Sequence, residues 1–448
     1  MEKISAGTYG AVVAVNGAIA QKHFFKTASL GVPLTALTEA AIVSSLNHPN
    51  IIAFKGENIA DAASTLDMEL GNKLFYFHEP TLKECFGMDG NTQLDREYAA
   101  ANGIKAVIPP FNEERLRAML YQLLSATAYI HEMGIIHRDI RPDNIVLVGD
   151  TPKLVDFGLA AFSAGYSRAV YTCPPFMPPE TYVFSPYYTT AVDMWALGMT
   201  FLWMTTGLTI PPRNFSQYNC IVSLAYMFGV PSLLQREIAK RYGVIIPPQF
   251  EAQWSAFSRE KIANHQLRKL LGSLLECEPS ARISARDALN HPFFIGEPYR
   301  PIFIERSPFS CESGDNGART IYCDVDKFGS VFRDFELRAK ILNWRLKTLI
   351  GCKVMYYHAI VDYHFACELK VLSATIIFLA HKLFEFRVLV HFKWSGARDE
   401  DILACEKQLV NAIGARGLFV LLHRFSHLNI PVSDLTISGC DKFIQCKK

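Results

Sequence analysis

His137-Arg138-Asp139-Ile140-Arg141-Pro142-Asp143-Asn144, followed shortly by Asp156-Phe157-Gly158, decides how this chain is read. Asp139 is a carboxylate able to accept the proton of an attacking hydroxyl, and Asn144 and Asp156 supply hard oxygen ligands for Mg²⁺. Ile145 to Val148 reads as a short strand and Lys153 to Val155 as its partner, which predicts both cation ligands at strand ends facing one cleft. Either short motif arises easily by chance. Both at this separation, each beside a strand, do not. One proton acceptor and two cation ligands are the parts that phosphoryl transfer needs.

Toward the N-terminus, Ile4-Ser5-Ala6-Gly7-Thr8-Tyr9-Gly10-Ala11-Val12 carries two glycines that let the backbone turn tightly and bring N–H groups onto phosphate oxygens. Many hairpins have two glycines, so this stretch alone says little. Asn16-Gly17 between apolar runs predicts a type I′ hairpin, with Ala18 to Lys22 as the returning strand. Pro33 followed by a helical pattern marks a helix start. With the two downstream motifs, these stretches resemble the protein kinases. The resemblance implies an α+β, two-lobed kinase fold over residues 1–295, with a small β-rich N-lobe to about residue 70 and a large helical C-lobe from 71. It implies ATP and Mg²⁺ as cofactors and a protein Ser/Thr hydroxyl as acceptor. Ser5, Gly7, Gly10, Val12, Ala20, Lys22 and Glu69 would then surround the nucleotide, and Lys22 would grip its α- and β-phosphates while paired with Glu39. Asp139 and Arg141 would serve the transfer, and Asn144 and Asp156 would hold the metal.

Gly31-Val32-Pro33-Leu34-Thr35-Ala36-Leu37-Thr38-Glu39, ahead of His48-Pro49-Asn50-Ile51-Ile52, narrows the resemblance to the cyclin-dependent kinases, whose regulatory helix reads GVPSTAIRE before an HPNI segment. In that family the helix swings inward when a cyclin packs on it, and Gly7-Thr8-Tyr9-Gly10 matches the loop that carries inhibitory phosphorylation. The departures are specific. Ser5 stands for the first loop glycine and Arg141 for the usual lysine, whose point charge differs from a planar fork in reach and geometry. Ser167 and Thr172 fall in the activation segment, Ser167 at the phospho-acceptor position. A phosphate there needs several arginines. Arg138 remains, but Thr38 and Ala161 stand where the other two are expected, so activation largely independent of Ser167 phosphorylation is the expectation. Cys173-Pro174-Pro175-Phe176-Met177 replaces the segment that shapes a proline-directed pocket, which leaves that preference open.

Asn112-Glu113-Glu114 predicts a helix start with an acidic first turn, and Leu116, Met119, Leu120, Leu123, Leu124 and Thr127 continue as a helical stripe. Pro178-Pro179-Glu180 resembles the APE motif, Asp193 to Gly198 the buried helix that anchors the catalytic loop, and Arg282 is the expected partner of Glu180. Met194 to Ile210 carries no charge, but it is short for a membrane span and is bracketed by Asp193 and Gly207, so a buried core helix is the reading.

The kinase resemblance ends near Phe294. Residues 296–330 are rich in Pro, Gly, Ser and charge and read as a linker, with Ser307-Pro308 inside it. Residues 331–448 return to a helical pattern, in which Leu337 to Trp344 and Ser373 to Glu385 resemble two helices of a cyclin box. Asp399 is the expected cap of a helix carrying Ile402, Leu403, Leu409, Val410 and Ile413 and stopped by Gly414. Lys382 and Glu406 fall where cyclins keep kinase contacts, while Asn343 and Arg345 depart from the pattern. The combined expectation is a kinase activated in cis by its own cyclin-like domain. The linker would stretch to about 100 Å, and tethering sets an effective concentration near ~1 mM. Exchange between two molecules remains an alternative. So do a nucleotide-binding scaffold without turnover, and a kinase active alone whose C-terminal half recruits another protein.

Composition excludes several classes. A net charge of +2 gives no bulk attraction to nucleic acid or to an anionic membrane, so neither is an expected partner, and a monomer is the expected state. The 11 cysteines are odd in number and lack a CxxC pair, which points to a reducing cytosol or nucleus and away from disulfides or zinc. The first residues enter a strand pattern at once, so no signal peptide is expected.

Overall fold

The computed structural model describes residues 2–6, 10–15, 17–25, 32–58, 64–73, 112–162, 176–182, 189–208, 210, 217–229, 252–294, 369–380 and 398–426, with single positions at 236, 240, 335, 352 and 355. The chain forms two compact units, one built from residues 1–45, 53–69 and 308–448 and the other from 46–52 and 70–307.

The first unit opens with an antiparallel sheet of β1 (Glu2–Ala6), β2 (Gly10–Val15), β3 (Ile19–Phe24), β4 (Phe54–Asn58) and β5 (Thr65–Glu69), in the order β1-β2-β3-β5-β4. The two-residue period of a strand puts Ala20, Lys22 and Phe24 on the buried face of β3, and Leu66 and Met68 on that of β5. Val15 faces Ile19, so three residues separate β2 from β3. A two-residue type I′ turn therefore does not fit, although Gly17 does take a positive φ of 71°. At Gly10 a Cβ would meet the His23 carbonyl oxygen at 2.3 Å, so only glycine lets β2 lie this close to β3. Pro33 caps α1 (Leu34–Val43), as its fixed φ suggests.

In the second unit, α2 (Glu113–Glu132) starts at Asn112, whose side chain accepts from Arg115 N at 2.8 Å, with Glu113 and Glu114 in the first turn. The expected stripe from Leu116 to Thr127 is buried throughout. β6 (Asn72–Lys73), β8 (Ile145–Val148) and β9 (Thr151–Leu154) form one small sheet, and β7 (Ile135–Ile136) and β10 (Ala161–Phe162) another. The partner of β8 thus runs from Thr151 to Leu154 rather than from Lys153 to Val155, because Val148 closes on Thr151 through a tight turn at Gly149, where φ is 61°.

The short α3 (Pro179–Tyr182) precedes α4 (Ala191–Thr206), which is buried nearly all round and ends at Gly207 in the left-handed region (φ 75°). This is the uncharged stretch read as a core helix. No helix among the described residues is long and apolar enough to cross a membrane. Next come α5 (Gln217–Phe228), α6 (Trp254–Lys261), α7 (His265–Leu274) and α8 (Ala285–Leu289). At Gly198 a Cβ would lie 2.9 Å from Leu274 Cβ, so α4 and α7 touch through a missing side chain.

The segment 46–52 belongs to this second unit, and its polar groups explain why. His48 Nε2 lies 3.1 Å from Ser125 Oγ on α2, and Asn50 Nδ2 donates to Gln122 Oε1 (2.8 Å) and the Pro152 carbonyl (3.0 Å). Burial, with the Lys153 charge, lowers the His48 pKa to about 4, so this ring is neutral in the fold.

Two C-terminal helices complete the first unit, α9 (Leu369–Ala380) and α10 (Asp399–Ser426). Ile402, Cys405, Glu406, Leu409, Val410 and Ile413 make a buried stripe at helical spacing on α10. Thr375 Oγ1 of α9 reaches the Val371 carbonyl (2.8 Å) and the Ile402 carbonyl (3.3 Å). Gly414 is non-helical (φ 67°, ψ 165°) and breaks α10 where the sequence suggests a stop. Asp399 is the first helical residue rather than the cap, since Ile402 N bonds to the Arg398 carbonyl. Helix α1 packs against both β5 and α10, which is why Leu37, Ala41, Ile42 and Val43 are all fully buried. Residues 296–330, Leu337 to Trp344, and Lys382 to Glu385 lie outside the described residues.

Candidate active site

Each part of the candidate site is held by a local reason. In the first unit, Lys22 on β3 and Glu39 on α1 meet at 2.6 Å, with 8% and 0% of their side chains exposed. Their spacing follows from packing, because α1 lies on the face of the sheet to which Lys22 points. Val12 is the cross-strand neighbour of Lys22, Ala20 that of Met68, and Ile19 that of Glu69. Lys22 Nζ also sits 5.3 Å from the Phe24 ring centroid. Removing either partner would leave a buried charge, at a cost of about 3–5 kcal/mol. Gly10 is in β2, whereas Gly7 lies outside the described residues. Ser5 is in β1, with only its backbone described.

In the second unit, the loop from His137 to Asn144 is pinned from below by Asp193 of α4. One carboxylate oxygen accepts from His137 N (2.7 Å) and His131 Nε2 (2.9 Å), the other from Arg138 N (2.8 Å). Burial alone would raise the Asp193 pKa. The His131 hydrogen bond, with the charges of His131 and His137, outweighs it and holds the carboxyl below its ordinary range. Arg138 has a positive φ of 67°, a conformation that costs about 1–3 kcal/mol and that the Asp193 bonds enforce. Its Nε donates to the Leu159 carbonyl.

Asp139, Arg141, Asn144 and Asp156 come from one turn and one strand pair. Arg141 is extended (φ −162°, ψ 164°) and Pro142–Asn144 makes a single 3₁₀ turn, closed by Asn144 N on the Arg141 carbonyl at 2.9 Å. Asn144 Nδ2 then donates to both the Asp139 carbonyl (2.8 Å) and its Oδ2 (2.7 Å). Val155 N bonds to the Asn144 carbonyl at 3.0 Å, extending the β8–β9 ladder to the residue before Asp156. Asp156 has φ 64° and ψ 70°, and its side chain accepts from Gly158 N at 3.4 Å. Arg138 and Asp156 are the non-glycine residues with positive φ among those described. Backbone strain of this kind gathers at working sites.

The donor chemistry suits a hard divalent cation. With its amide nitrogen committed to Asp139, Asn144 has an amide oxygen to offer, and Asp156 a carboxylate. Glu180 and Arg282 form the expected pair, bidentate at 2.9 and 3.1 Å. Arg282 also donates to the Ala191 and Glu276 carbonyls and lies 5.1 Å over the Trp195 ring, so this is support for the fold rather than chemistry. Ser167 and Thr172 lie outside the described residues. Sequence reasoning passed over His131 and Asp143. The signal for His131 was a histidine on the buried end of α2, six residues before His137. For Asp143 it was an acid two residues from an arginine that replaces a lysine.

A protein kinase domain model matches residues 1–294. The chain therefore belongs to the protein kinase family, as a serine/threonine protein kinase of cyclin-dependent-kinase-like type. Among its relatives are cyclin-dependent kinase 14 of Xenopus laevis, 31% identical over 320 residues, and cyclin-dependent kinase 14 of Xenopus tropicalis, 30% identical over 319. Both alignments cover 67% of this chain, and they span 66% and 68% of the relatives' own lengths, about two thirds. Family membership implies ATP and a divalent metal, and the oxygens of Asn144 and Asp156 fit the latter.

Proposed function

We propose that the chain transfers the γ-phosphoryl group of Mg²⁺-ATP to a Ser or Thr hydroxyl of a protein, with its C-terminal helices holding α1 in the active position. The observation that carries the transfer is the Asn144 amide bound to both the backbone carbonyl and the carboxylate of Asp139. It fixes the side chain that accepts the hydroxyl proton and turns a cation-binding oxygen beside it. Lys22, paired with Glu39, holds the α- and β-phosphates, and Asn144 and Asp156 hold the Mg²⁺, which supplies charge neutralisation at the phosphates when bound. Arg141 offers a fixed positive charge to the γ-phosphate.

Support for the regulatory part lies at the start of α1. That helix has no side-chain cap and no acid in its first turn. Val32 N instead donates to Glu406 Oε2 of α10 at 3.3 Å, and Glu406 is fully buried. A buried hydrogen bond to a carboxylate contributes about 1.5–3 kcal/mol, and its negative charge complements the N-terminal end of a helix dipole. α10 thus supplies the acid that α1 lacks, and α1 carries Glu39.

Glu406→Ala is the direct test. Wild type is expected to phosphorylate a Ser/Thr peptide library with specific activity independent of enzyme concentration, and Glu406→Ala to lose about tenfold or more of it. Full activity in Glu406→Ala would sink the regulatory reading while leaving the kinase reading intact. Ser167→Ala, by contrast, is expected to keep its activity within about twofold, since Thr38 and Ala161 provide no cation for a phosphate there. Complete loss on that substitution would overturn the expectation.

A further inference from the structure

Resting on the kinase reading, we infer that Asp143 is a positioning residue for Arg141, and that the two act as one unit replacing a lysine. Arg141 Nη1 lies 3.4 Å from Asp143 Oδ2, and Arg141 Nε 3.5 Å from Asp139 Oδ2. One guanidinium therefore spans both carboxylates. The local backbone makes this possible, because Arg141 is extended while Asp143 sits inside the 3₁₀ turn that follows. All three side chains are sheltered, at 27%, 11% and 21% exposure for Arg141, Asp139 and Asp143.

The need for a second carboxylate follows from the shape of arginine. A lysine ammonium is a compact point charge that shares itself among acceptors by rotation. A guanidinium is a rigid fork whose preferred partner is a carboxylate gripped through two parallel N–H groups. Two residues from Asp139, that fork has an obvious competitor for its correct position, a two-pronged grip on Asp139 itself. Such a grip would occupy the oxygens that must receive the substrate proton and would draw the positive charge away from the phosphate. Asp143 lies against Nη1 at 3.4 Å, and the Nε side of the fork approaches Asp139 Oδ2 at 3.5 Å. Asn144 Nδ2 meanwhile donates to the same Oδ2 at 2.7 Å, so the hydrogen bond that orients this oxygen comes from Asn144 while the Arg141 Nε lies beside it as a charge.

The test is a double-mutant cycle on the full chain. Asp143→Ala is expected to lower kcat about tenfold with peptide KM changed by less than about twofold, and Asp143→Glu to restore most of it. In an Arg141→Lys background the same Asp143→Ala change is expected to cost less than about twofold, because lysine has no fork to misplace. Equal losses in both backgrounds would overturn the inference, as would a rise in peptide KM at unchanged kcat, which marks a substrate contact instead. A second readout does not depend on turnover. The Arg141 Nε–H resonance, identified by its loss in Arg141→Lys, is expected to shift in Asp143→Ala. An unmoved resonance would overturn the positioning role even in an enzyme without activity, whereas a shifted one in a chain that transfers no phosphate would fault the kinase reading alone.

Discussion

Asp139→Asn is expected to lower kcat by about 10²- to 10⁴-fold while leaving the fold in place. The asparagine keeps the shape of the side chain and an oxygen for Asn144 Nδ2, now at 2.7 Å from Asp139 Oδ2, so the loop retains its geometry. What it loses is the capacity to take a proton as the acceptor hydroxyl attacks. Because the substitution removes a transition-state interaction, kcat and kcat/KM should fall together, with KM for ATP nearly unchanged. Steady-state kinetics on a Ser/Thr peptide, with a thermal melt as control, read both quantities. A variant that retained wild-type turnover would show that another group accepts the proton, and the assignment of Asp139 would fail.

Asp193→Asn is expected to do the reverse, damaging the fold first and the activity through it. The carboxylate receives three hydrogen bonds, from His131, His137 N and Arg138 N, and is fully buried. An amide can present an acceptor on one side only, and its NH₂ faces an N–H on the other. Breaking a buried, charge-assisted network of this kind costs about 3–5 kcal/mol. At about 2–4 °C per kcal/mol for a unit of this size, the melting temperature should drop by about 6–20 °C. Activity should fall even below the melt, because the bond from Arg138 N that fixes its positive φ beside Asp139 is then weakened or lost. The acid side gives a second signature. With its folded pKa held below the ordinary value, Asp193 contributes fully above about pH 4, and the contribution is lost as pH falls through the folded pKa. The asparagine variant should lack that acid-side dependence. An unshifted melting temperature would show that the three bonds contribute little.

Much of this was legible in the chain, for reasons that differ by residue. The catalytic loop was readable because its chemistry is packed into eight consecutive residues and a tripeptide, and local turns suffice to gather them. Asn112 with its acidic neighbours announced α2, and the uncharged run after Asp193 announced a buried helix. The Lys22–Glu39 pair was reached through the resemblance, since no local rule brings a strand lysine to a helix glutamate seventeen positions on. The errors were local. β9 begins at Thr151 rather than Lys153 because the turn after Val148 is tight, and the β2–β3 connection holds three residues because register is set by the whole hairpin and not by an Asn-Gly pair alone. Least visible were side-chain hydrogen bonds across long separations. Glu406 was marked as a kinase contact through the resemblance, but nothing named Val32 as its partner, and nothing at His48 or Asn50 suggests Ser125 or Gln122.

The bond from Val32 to Glu406 joins residues 374 positions apart, and it has a consequence for how the protein is made. Strands β1 to β5 and helix α1 leave the ribosome long before the helix that covers α1, which lies more than 350 positions downstream of it. At about 5–20 residues per second, α1 waits roughly 20–75 s for α10. During that interval the buried side of α1 that α10 will cover, and the uncapped start of the helix, stand open to solvent and to chaperones. The unit formed by residues 46–52 and 70–307 is meanwhile completely synthesised. Helix α1 can therefore reach its final packing only after a segment made much later in synthesis has emerged.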